Sequence, residues 1–341
     1  MKQTDFAKHL TDFFCHYLPV ECGFSSNTVK TYSYTFTLLL KYLQIEHHIR
    51  AEMVTLSVIT KEIIIHFLDW VDKERKCCVS TRNSRLAAIH SFFRYLQYRN
   101  VEGLAKWQNI MSVKYKKAPS PEMAYLTIEG IKFLLKQPDL NTKYGRRDLA
   151  LMGLLYDSGC RVQELIELTP QSLRFEETTT IILYGKGRKT RIVPLSDGQV
   201  RNLRKYMEEF RLNNPEYQNH PLFANHQGNK MSRMSVRNII RKYVDMAKAK
   251  SPELFPEGIS CHSLRHSKAV HMLEANINLV YIRDFLGHTS TTTTEIYAKA
   301  SEKLKMEALS KLSSTIVVEG KTSWQKDSEL LSYLKNLQRK Y

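Results

Sequence analysis

The chain has 341 residues, of which 43% are hydrophobic, and its 51 lysines and arginines outnumber 34 aspartates and glutamates. The length fits two domains of ordinary size, and the net charge of +17 favours a polyanionic partner, above all nucleic acid. No apolar run approaches a membrane span or a signal peptide, and six cysteines without a CxxC pair are typical of a reduced, cytoplasmic protein.

The first hundred residues predict a bundle of four amphipathic helices. Apolar side chains recur at helical spacing within residues 4–18, 25–43, 60–71 and 80–99. Ser26 and Asn27 stand where the second helix would be capped, and Ser80 stands where the fourth would be capped. Four such helices can bury their apolar faces against one another, so we expect an N-terminal helical domain over residues 1–111.

Residues 112–122 predict a linker, because they hold several lysines and two prolines and show no apolar periodicity. The lysines are Lys114, Lys116 and Lys117. They are either solvated or lie along a phosphate backbone, and we count them among the candidate DNA contacts.

Residues 123–313 predict an α+β domain. Helical patterns cover residues 126–137, with Thr127 as the cap, residues 146–159, ending at Gly159, and residues 161–170. Segments 172–175, 178–185 and 190–195 predict strands, the last two joined by a turn at 185–189. Helical patterns return at 199–212, at 235–250 and in a run over 262–312. The expected fold class is mainly α with a small antiparallel β-sheet, and the tail, residues 314–341, predicts one more amphipathic helix.

Two histidines with the i, i+4 spacing of a helical zinc site, His262 and His266, lie in the segment "CHSLRH". The metalloprotease pattern needs glutamate directly after the first histidine, and this chain has Ser263 there. Because a third ligand is not evident, zinc is disfavoured and we expect no metal. The pattern favours a structural role for one of the two histidines, and we assign that role to His266.

Two further segments each allow a structural and a functional interpretation. "YGKGRKTR", residues 184–191, lies between strands and is not a Walker A loop. It is either a plain hairpin turn or a rigid support that aims Lys186 at a phosphate. In "SGCRVQELIEL", residues 158–168, Arg161 and Glu164 form either a surface i, i+3 ion pair or part of a site.

Four segments in order resemble the conserved boxes of the tyrosine recombinases, the phage integrase family that includes Xer-like and mobile-element integrases. They are "GCRVQELIEL", "GKGRKTRIVPL", "HSLRHSKAVHML" and "LGHTSTTTTEIY". The resemblance covers roughly residues 125–312, and the N-terminal bundle resembles the family's core-binding domain. Cys160 stands where the family usually has a large apolar residue, and Ala298 and Lys299 stand where a histidine often follows the tyrosine.

The resemblance implies DNA cleavage by transesterification. The six residues that match the family's catalytic set are Arg161, Lys186, His262, Arg265, His288 and Tyr297. The Tyr297 hydroxyl attacks a phosphodiester and leaves a 3′-phosphotyrosine and a free 5′-hydroxyl. The bond energy is kept in the covalent intermediate, so we expect no ATP, no metal and no other cofactor.

Each matched residue has an expected role. Arg161 and Arg265 can each present a fork of donors to the non-bridging oxygens. Lys186 is the expected general acid for the leaving oxygen. A tyrosine of ordinary pKa is only ~0.1% ionised at neutral pH, and the resemblance implies that His262 accepts its proton. His288 is expected to donate a hydrogen bond to a phosphate oxygen. Glu164 is expected to orient neighbouring side chains.

The expected partner is double-stranded DNA that carries a specific recombination site, clamped between the two domains. Beyond the linker lysines, the low-specificity candidate contacts lie near three helix starts: Thr28, Lys30, Arg82, Arg85, Arg233 and Arg237. The resemblance also implies a homo-tetramer on two DNA sites, with the tail helix exchanged between protomers or, alternatively, packed on its own domain. Accessory proteins are possible partners, and a bacterial cytoplasmic, nucleoid-associated location is expected.

Several functions remain open from the sequence. The extended tail and the basic charge favour an integrase of a mobile element, acting in integration, excision or transposition. The alternatives are a Xer-type recombinase that resolves chromosome dimers, a type IB topoisomerase that relaxes one duplex, and a DNA-binding module without activity. Threonines at 291–294 are poor helix formers, so they predict either a joint that lets the Tyr297 helix move or a rigid loop capped by Ser290 or Thr291.

Overall fold

The computed structural model describes residues 3–117, 123–185, 190–288 and 294–297, together with the isolated positions Ser332, Lys335 and Asn336. The chain divides into two compact units, Met1–Pro121 and Glu122–Tyr341. Across the described ranges, no helix is both long and apolar enough to span a bilayer. The expected fold class, mainly α with a small antiparallel sheet, is confirmed.

The first unit is entirely helical over its described residues. Its helices are α1 (Asp5–Asp12), which continues as a π-helix (Phe13–Glu21), α2 (Ser26–His47), α3 (Lys61–Arg75), α4 (Val79–Arg99) and α5 (Leu104–Met111). The four predicted helices are confirmed. The sequence analysis missed α5, a short helix in which only Trp107 and Ile110 are buried.

Two predicted caps of the first unit are shifted. The α2 helix is capped by Ser25, whose hydroxyl accepts from the Thr28 amide at 3.3 Å, rather than by Ser26 or Asn27. The α4 helix begins after Cys78, so Ser80 lies in its first turn. These helices pack against one another through aromatic rings, and the centroids of the Phe13 and Phe92 rings are 5.2 Å apart.

The start of the predicted linker lies on the first unit. The Asn83 side chain bonds both the amide and the carbonyl of Lys116, at 3.1 and 2.8 Å. The Lys116 ammonium lies 2.7 Å from an Asp72 carboxylate oxygen, and Val113 is buried. Residues 118–122, with both linker prolines, lie outside the described residues.

The second unit combines helices with one small sheet. Its helices are α6 (Ile128–Leu135), α7 (Lys143–Asp157), α8 (Val162–Glu167), α9 (Asp197–Glu209), α10 (Arg233–Lys250), α11 (Cys261–Glu274) and α12 (Leu279–Leu286). Its strands are β1 (Leu173–Arg174), β2 (Thr180–Tyr184) and β3 (Thr190–Pro194), antiparallel in the order β1-β2-β3. The three predicted strands and the Thr127 cap of α6 are confirmed.

Within the predicted run of helices over 262–312, a turn separates α11 from α12. Helix α11 ends at Glu274, and Asn276 adopts the left-handed conformation with φ of 60° before α12 begins. Asparagine tolerates this conformation better than most residues, so a turn forms where the apolar period alone continues. Residues 298–331 lie outside the described residues.

Helix α7 lies at the centre of the second unit and fixes the positions of the segments around it. Leu151, Leu154 and Leu155 are fully buried, and the Gln199 side chain of α9 bonds the Ala150 carbonyl at 2.8 Å. The helix gives way to a turn at Gly159, which has φ of +57°. This packing brings the end of α7, the start of α8, strand β3 and helices α11 and α12 to one place.

Candidate active site

Arg265, in the second turn of α11, is one of the two most deeply buried members of the predicted catalytic set that the structure describes. Its guanidinium is held by two main-chain carbonyls, with Nη1 donating to Gly159 O at 2.6 Å and Nη2 to Leu286 O at 2.7 Å. The residue is 3% exposed. Burial, followed by the charges of Arg161 and Arg191, lowers its pKa to about 10. Arg265 is therefore still charged at neutral pH, and its orientation is fixed.

Arg161 and Glu164 form a local pair at the start of α8. The Glu164 carboxylate accepts from the Arg161 amide at 2.8 Å and from its Nη1, also at 2.8 Å. The amide contact satisfies a donor that a helix start otherwise leaves unpaired. The Arg161 side chain is 33% exposed and that of Glu164 only 4%. The arginine is therefore partly open to solvent, while the carboxylate that holds it is buried.

The site contains an arginine that the sequence interpretation missed, Arg191 on β3. Its Nη1 and Nη2 donate to the two Glu164 oxygens at 2.9 and 2.7 Å, and its Nε donates to Phe285 O at 3.0 Å. Strand alternation could have revealed it: Val193 is buried, so a residue two positions earlier lies on the same inward face. An inward arginine requires a partner.

Glu164 stays ionised because of these arginines. Burial raises the pKa of its carboxyl, but the hydrogen bonds from Arg191 and from the Arg161 amide outweigh burial, and the net pKa is lowered. The carboxylate therefore joins α8 to β3 by charge-assisted hydrogen bonds, the stronger kind.

Three consecutive carbonyls at the end of α12 accept from three different arginines. Phe285 O and Leu286 O accept from Arg191 and Arg265, and Gly287 O accepts from Arg161 Nη2 at 3.3 Å. A helix end leaves its last carbonyls unpaired and carries partial negative charge. Gly287 caps the helix with φ of 65°.

The phenol of Tyr297 lies in the same pocket as these arginines. Residues 294–297 are helical, and the 3% exposed Tyr297 ring packs in a cluster with Val270, Ile282 and Leu286. Burial raises the pKa of the phenol, and the nearby charges of Arg265 and Arg161 only partly offset this.

His266, for which the sequence pattern favours a structural role, contacts the phenol directly. Its Nδ1 lies 3.2 Å from the Tyr297 hydroxyl. Its neighbour on the helix, His262, is exposed, and the two ring centroids are 6.4 Å apart. Partial burial, then Arg265 and Arg161, lowers the pKa of His262 below 6.5, so its imidazole is mainly neutral at neutral pH.

His288 also packs against the tyrosine. Its ring stacks on the Tyr297 ring at 6.1 Å with an interplanar angle of 17°, and its Nδ1 lies 3.0 Å from the Thr294 hydroxyl. Burial, followed by the charges of Arg265 and Arg161, lowers its pKa to about 4. The imidazole is therefore neutral at neutral pH.

Some candidates lie outside the described residues. Lys186 is one of them, although the β2–β3 pairing is described up to Tyr184 opposite Thr190. The proposed joint is another: of residues 291–294 only Thr294 is described, and it is fully buried. The tail helix is described only at three isolated positions. In the described part of the chain, no group of three histidine, cysteine, aspartate or glutamate side chains is placed to hold a metal ion.

The candidate DNA contacts of the first unit fall into two groups. The starts of α2 and α4 line a shared surface groove that includes Thr28, and Lys30 is exposed beside it. Arg85 is half-buried, with its guanidinium 4.8 Å from the centre of the Tyr34 ring. Arg82 is only 4% exposed, so in this conformation its guanidinium is turned away from any surface ligand.

The remaining candidate contacts differ in exposure and pairing. Lys114 and Lys117 are exposed, whereas the Lys116 ammonium already pairs with Asp72. On the second unit, Arg233 and Arg237 are exposed in the first two turns of α10.

Comparison with known proteins identifies the family. A model described as the phage integrase family matches residues 125–303, and a model described as the phage integrase N-terminal SAM-like domain matches residues 11–100. The chain is 31% identical to y4rC of Sinorhizobium fredii, named as an integrase/recombinase, over 98% of this chain and 99% of that protein. It is 31% identical to the tyrosine recombinase XerD of Listeria monocytogenes over 87% of this chain and 96% of that protein.

Solved structures share the fold. The Tn1549 transposon integrase in complex with transposon right end DNA superposes with a TM-score of 0.67 at 16% identity, covering 89% of this chain and 98% of that chain. The family model spans more than half of the present sequence, and y4rC matches it nearly end to end. The chain therefore belongs to the tyrosine recombinases of the phage integrase family, enzymes that cut and rejoin DNA strands.

Proposed function

We propose that the protein is a site-specific DNA recombinase of a mobile element that works through a 3′-phosphotyrosine on Tyr297. One observation carries this proposal: a buried phenol shares a pocket with two fixed guanidinium groups, those of Arg161 and Arg265. A phosphodiester bound to both arginines would lie beside the phenol oxygen. This is the arrangement that nucleophilic attack on phosphorus requires.

The two arginines would stabilise the charge that develops on the non-bridging oxygens. Arg265 is already held by two carbonyls and Arg161 by Glu164, so little reorganisation is needed when the phosphate binds. Donors that are fixed before the reaction contribute most to catalysis. The exposed His262 and the stacked His288 are the expected neutral donors to the remaining phosphate oxygens.

The bond changes balance without an external energy source. The phenol oxygen forms a bond to phosphorus, the bond from phosphorus to the 5′ oxygen breaks, and Lys186 is the proposed donor of a proton to that oxygen. A 5′-hydroxyl from a second strand then attacks the phosphotyrosine, which releases the phenol and restores a phosphodiester. Glu164 acts by holding Arg161 and does not touch the reacting atoms.

Double-stranded DNA is the proposed partner. The net charge of +17 favours it, and the Tn1549 integrase structure is a complex with transposon end DNA. We propose contacts from the groove at the starts of α2 and α4, from the linker lysines and from the exposed arginines of α10. Strand exchange between two DNA sites would require four protomers, and the tail helix is the expected link between them. The cytoplasm is the proposed location.

The mobile-element role is supported by the fold shared with the Tn1549 transposon integrase and by the match to y4rC, which is named as an integrase/recombinase. y4rC covers 98% of this chain, including the tail region, whereas XerD covers 87%. Chromosome-dimer resolution of the Xer type is the alternative recombinase function, and relaxation of a single duplex is the alternative activity. Relaxation of a supercoiled plasmid that lacks any target site would favour the topoisomerase alternative.

The proposal can be tested by capturing the covalent protein–DNA adducts that form on fragments of the whole host genome. The same experiment identifies the target site. Fragmented genomic DNA from the host is incubated with the protein, the mixture is denatured, and DNA linked to protein is sequenced. We expect cleavage at a small set of positions clustered at element ends and no adduct with Tyr297→Phe, which should still bind DNA. Adducts formed by Tyr297→Phe would contradict the assignment of the nucleophile, and cleavage confined to one chromosomal site would favour the Xer-type alternative.

A further inference from the structure

We propose that His266 holds the Tyr297 phenol in its attacking position and accepts the phenol proton as the bond to phosphorus forms. The inference deepens the proposed function, because it rests on Tyr297 as the nucleophile. It departs from the role implied for His262 by the family resemblance, and it is carried by contacts in the pocket.

The charge of Arg265 favours one direction for this hydrogen bond. His266 Nδ1 lies 3.2 Å from the phenol oxygen. Arg265, whose Nη1 and Nη2 donate to the Gly159 and Leu286 carbonyls, lies near enough for its charge to oppose the rise in the phenol pKa that burial causes. A positive charge beside the phenol favours loss of its proton, and in the proposed geometry that proton points to His266. The imidazole then carries its hydrogen on Nε2 and presents the lone pair of Nδ1.

Helix α11 holds His266 firmly at this depth. Its first turn is closed by the reciprocal Ser260–Ser263 cap. One turn further on, the Ser267 hydroxyl donates to Ser263 O at 2.7 Å and accepts from the Leu126 amide at 2.8 Å. His262 lies one turn closer to the helix start and is exposed. The same i, i+4 face therefore places one histidine at the surface and the other against the phenol.

The charge state of His266 suits an acceptor. Burial, then His262 and Arg265, lowers its pKa to about 4, so the imidazole is neutral at neutral pH and one of its two nitrogens has a free lone pair. The titratable and charged groups that face it are His262 and Arg265 on its own helix, the Tyr297 phenol and His288. A phosphate bound by Arg161 and Arg265 would bring negative charge that favours the imidazolium, so the base becomes stronger when DNA is bound.

In the proposed step the proton leaves the phenol oxygen for Nδ1 while that oxygen forms its bond to phosphorus. The bond to the 5′ oxygen breaks, and that oxygen takes a proton from the general acid. When a 5′-hydroxyl attacks the phosphotyrosine, it gives its proton to the general acid that lost one in the first step, and the imidazolium returns its proton to the departing phenol oxygen. The histidine ends each cycle neutral.

The test uses the full chain and a nicked duplex built on a cleavage position found by covalent capture. His266→Ala removes both the hydrogen bond and the base, whereas His266→Asn keeps an acceptor near the position of Nδ1 but cannot take the proton. The matched control is His271→Gln, because His271 lies on the same helix and bonds a different tyrosine, with its Nδ1 2.9 Å from the Tyr156 hydroxyl. Circular dichroism melting shows which variants fold.

Two substrates separate the phenol from the leaving group. One carries the natural 5′ oxygen and the other a 5′ sulfur, which leaves without a general acid. We expect His266→Ala and His266→Asn to cleave both substrates at least about 100-fold more slowly than the parent, with rates that rise steeply with pH. We expect His271→Gln to stay within about twofold of the parent, and Lys186→Ala to be restored by the sulfur substrate only.

Three outcomes would overturn the inference. The first is a cleavage rate for His266→Ala that equals the parent's. The second is a restored rate for His266→Ala on the sulfur substrate. The third is a cleavage rate for His266→Ala or His266→Asn that depends on pH as the parent's does. A loss of adducts in Tyr297→Phe together with any of these leaves the proposed function intact and removes only the role of His266. Adducts in Tyr297→Phe would remove both.

Discussion

Two sides of the site meet at the carboxyl end of α12 and differ in how they are held. The arginine side is the charged group Arg161, Glu164, Arg191 and Arg265. The tyrosine side is the group of neutral rings His266, His288 and Tyr297. Each guanidinium of the arginine side makes at least two polar contacts between 2.6 and 3.3 Å. On the tyrosine side, His266 contacts the phenol at 3.2 Å and His288 contacts Thr294 at 3.0 Å.

The difference separates two tasks. The arginine side carries more positive than negative charge and is fixed before the substrate arrives, which suits a binding site for a phosphate. Burial, followed by neighbouring positive charge that includes Arg265, lowers the pKa values of His266 and His288 to about 4. Burial and the arginine side together therefore keep the tyrosine side neutral, and a neutral imidazole can take a proton from the phenol.

The largest effect on the cleavage rate is expected from replacing Arg265, the central residue of the arginine side, by the shorter lysine. In Arg265→Lys, one ammonium replaces a planar fork that spans the Gly159 and Leu286 carbonyls. We expect cleavage to slow by about 100- to 1,000-fold, about 2.7–4 kcal/mol in the barrier, with DNA binding retained in a gel-shift assay. The matched control is Arg283→Lys, which lies on α12 and pairs with a neighbouring aspartate. A rate within threefold of the parent would contradict the preorganised role.

The next largest effect is expected from replacing Glu164, the carboxylate that holds Arg161 and Arg191, and it is measured as a change in stability. Glu164→Gln keeps the shape but removes the charge between Arg161 and Arg191, so we expect a loss of roughly 1–3 kcal/mol in the free energy of unfolding at pH 7. The pKa of Glu164 is lower in the folded than in the unfolded protein. Its stabilisation is therefore complete above pH 4.5, the ordinary value for the carboxyl, and is lost as the pH falls through the folded pKa.

Urea unfolding of the parent and of Glu164→Gln at several pH values measures this difference. The gap between the two proteins should be constant above pH 4.5 and should narrow below it. A gap that stays constant down to the acid-unfolding range would mean that the carboxylate is not stabilised by the two arginines.

The sequence predicted the parts of this site that a single period or a motif defines. Two strand segments with a turn at 185–189 between them predicted the hairpin of β2 and β3. Arg191 was missed because its segment was interpreted as a hairpin strand next to a basic turn, and the alternation that places it on the same face as Val193 was not applied. The depth of His266 was also hidden, because i, i+4 spacing defines a shared face but not which member meets the phenol.

The smallest effect tests how far the tyrosine side depends on its few contacts. Thr294→Val removes the hydroxyl that lies 3.0 Å from His288 Nδ1, while the fully buried side chain keeps nearly the same volume. Loss of one such hydrogen bond costs about 0.5–1.5 kcal/mol, so cleavage should slow about two- to tenfold. Thr294→Ser keeps the hydroxyl and should stay near the parent rate. If Thr294→Val slowed cleavage as much as Arg265→Lys, the tyrosine side would be as dependent on fixed contacts as the arginine side, and the contrast between them would fail.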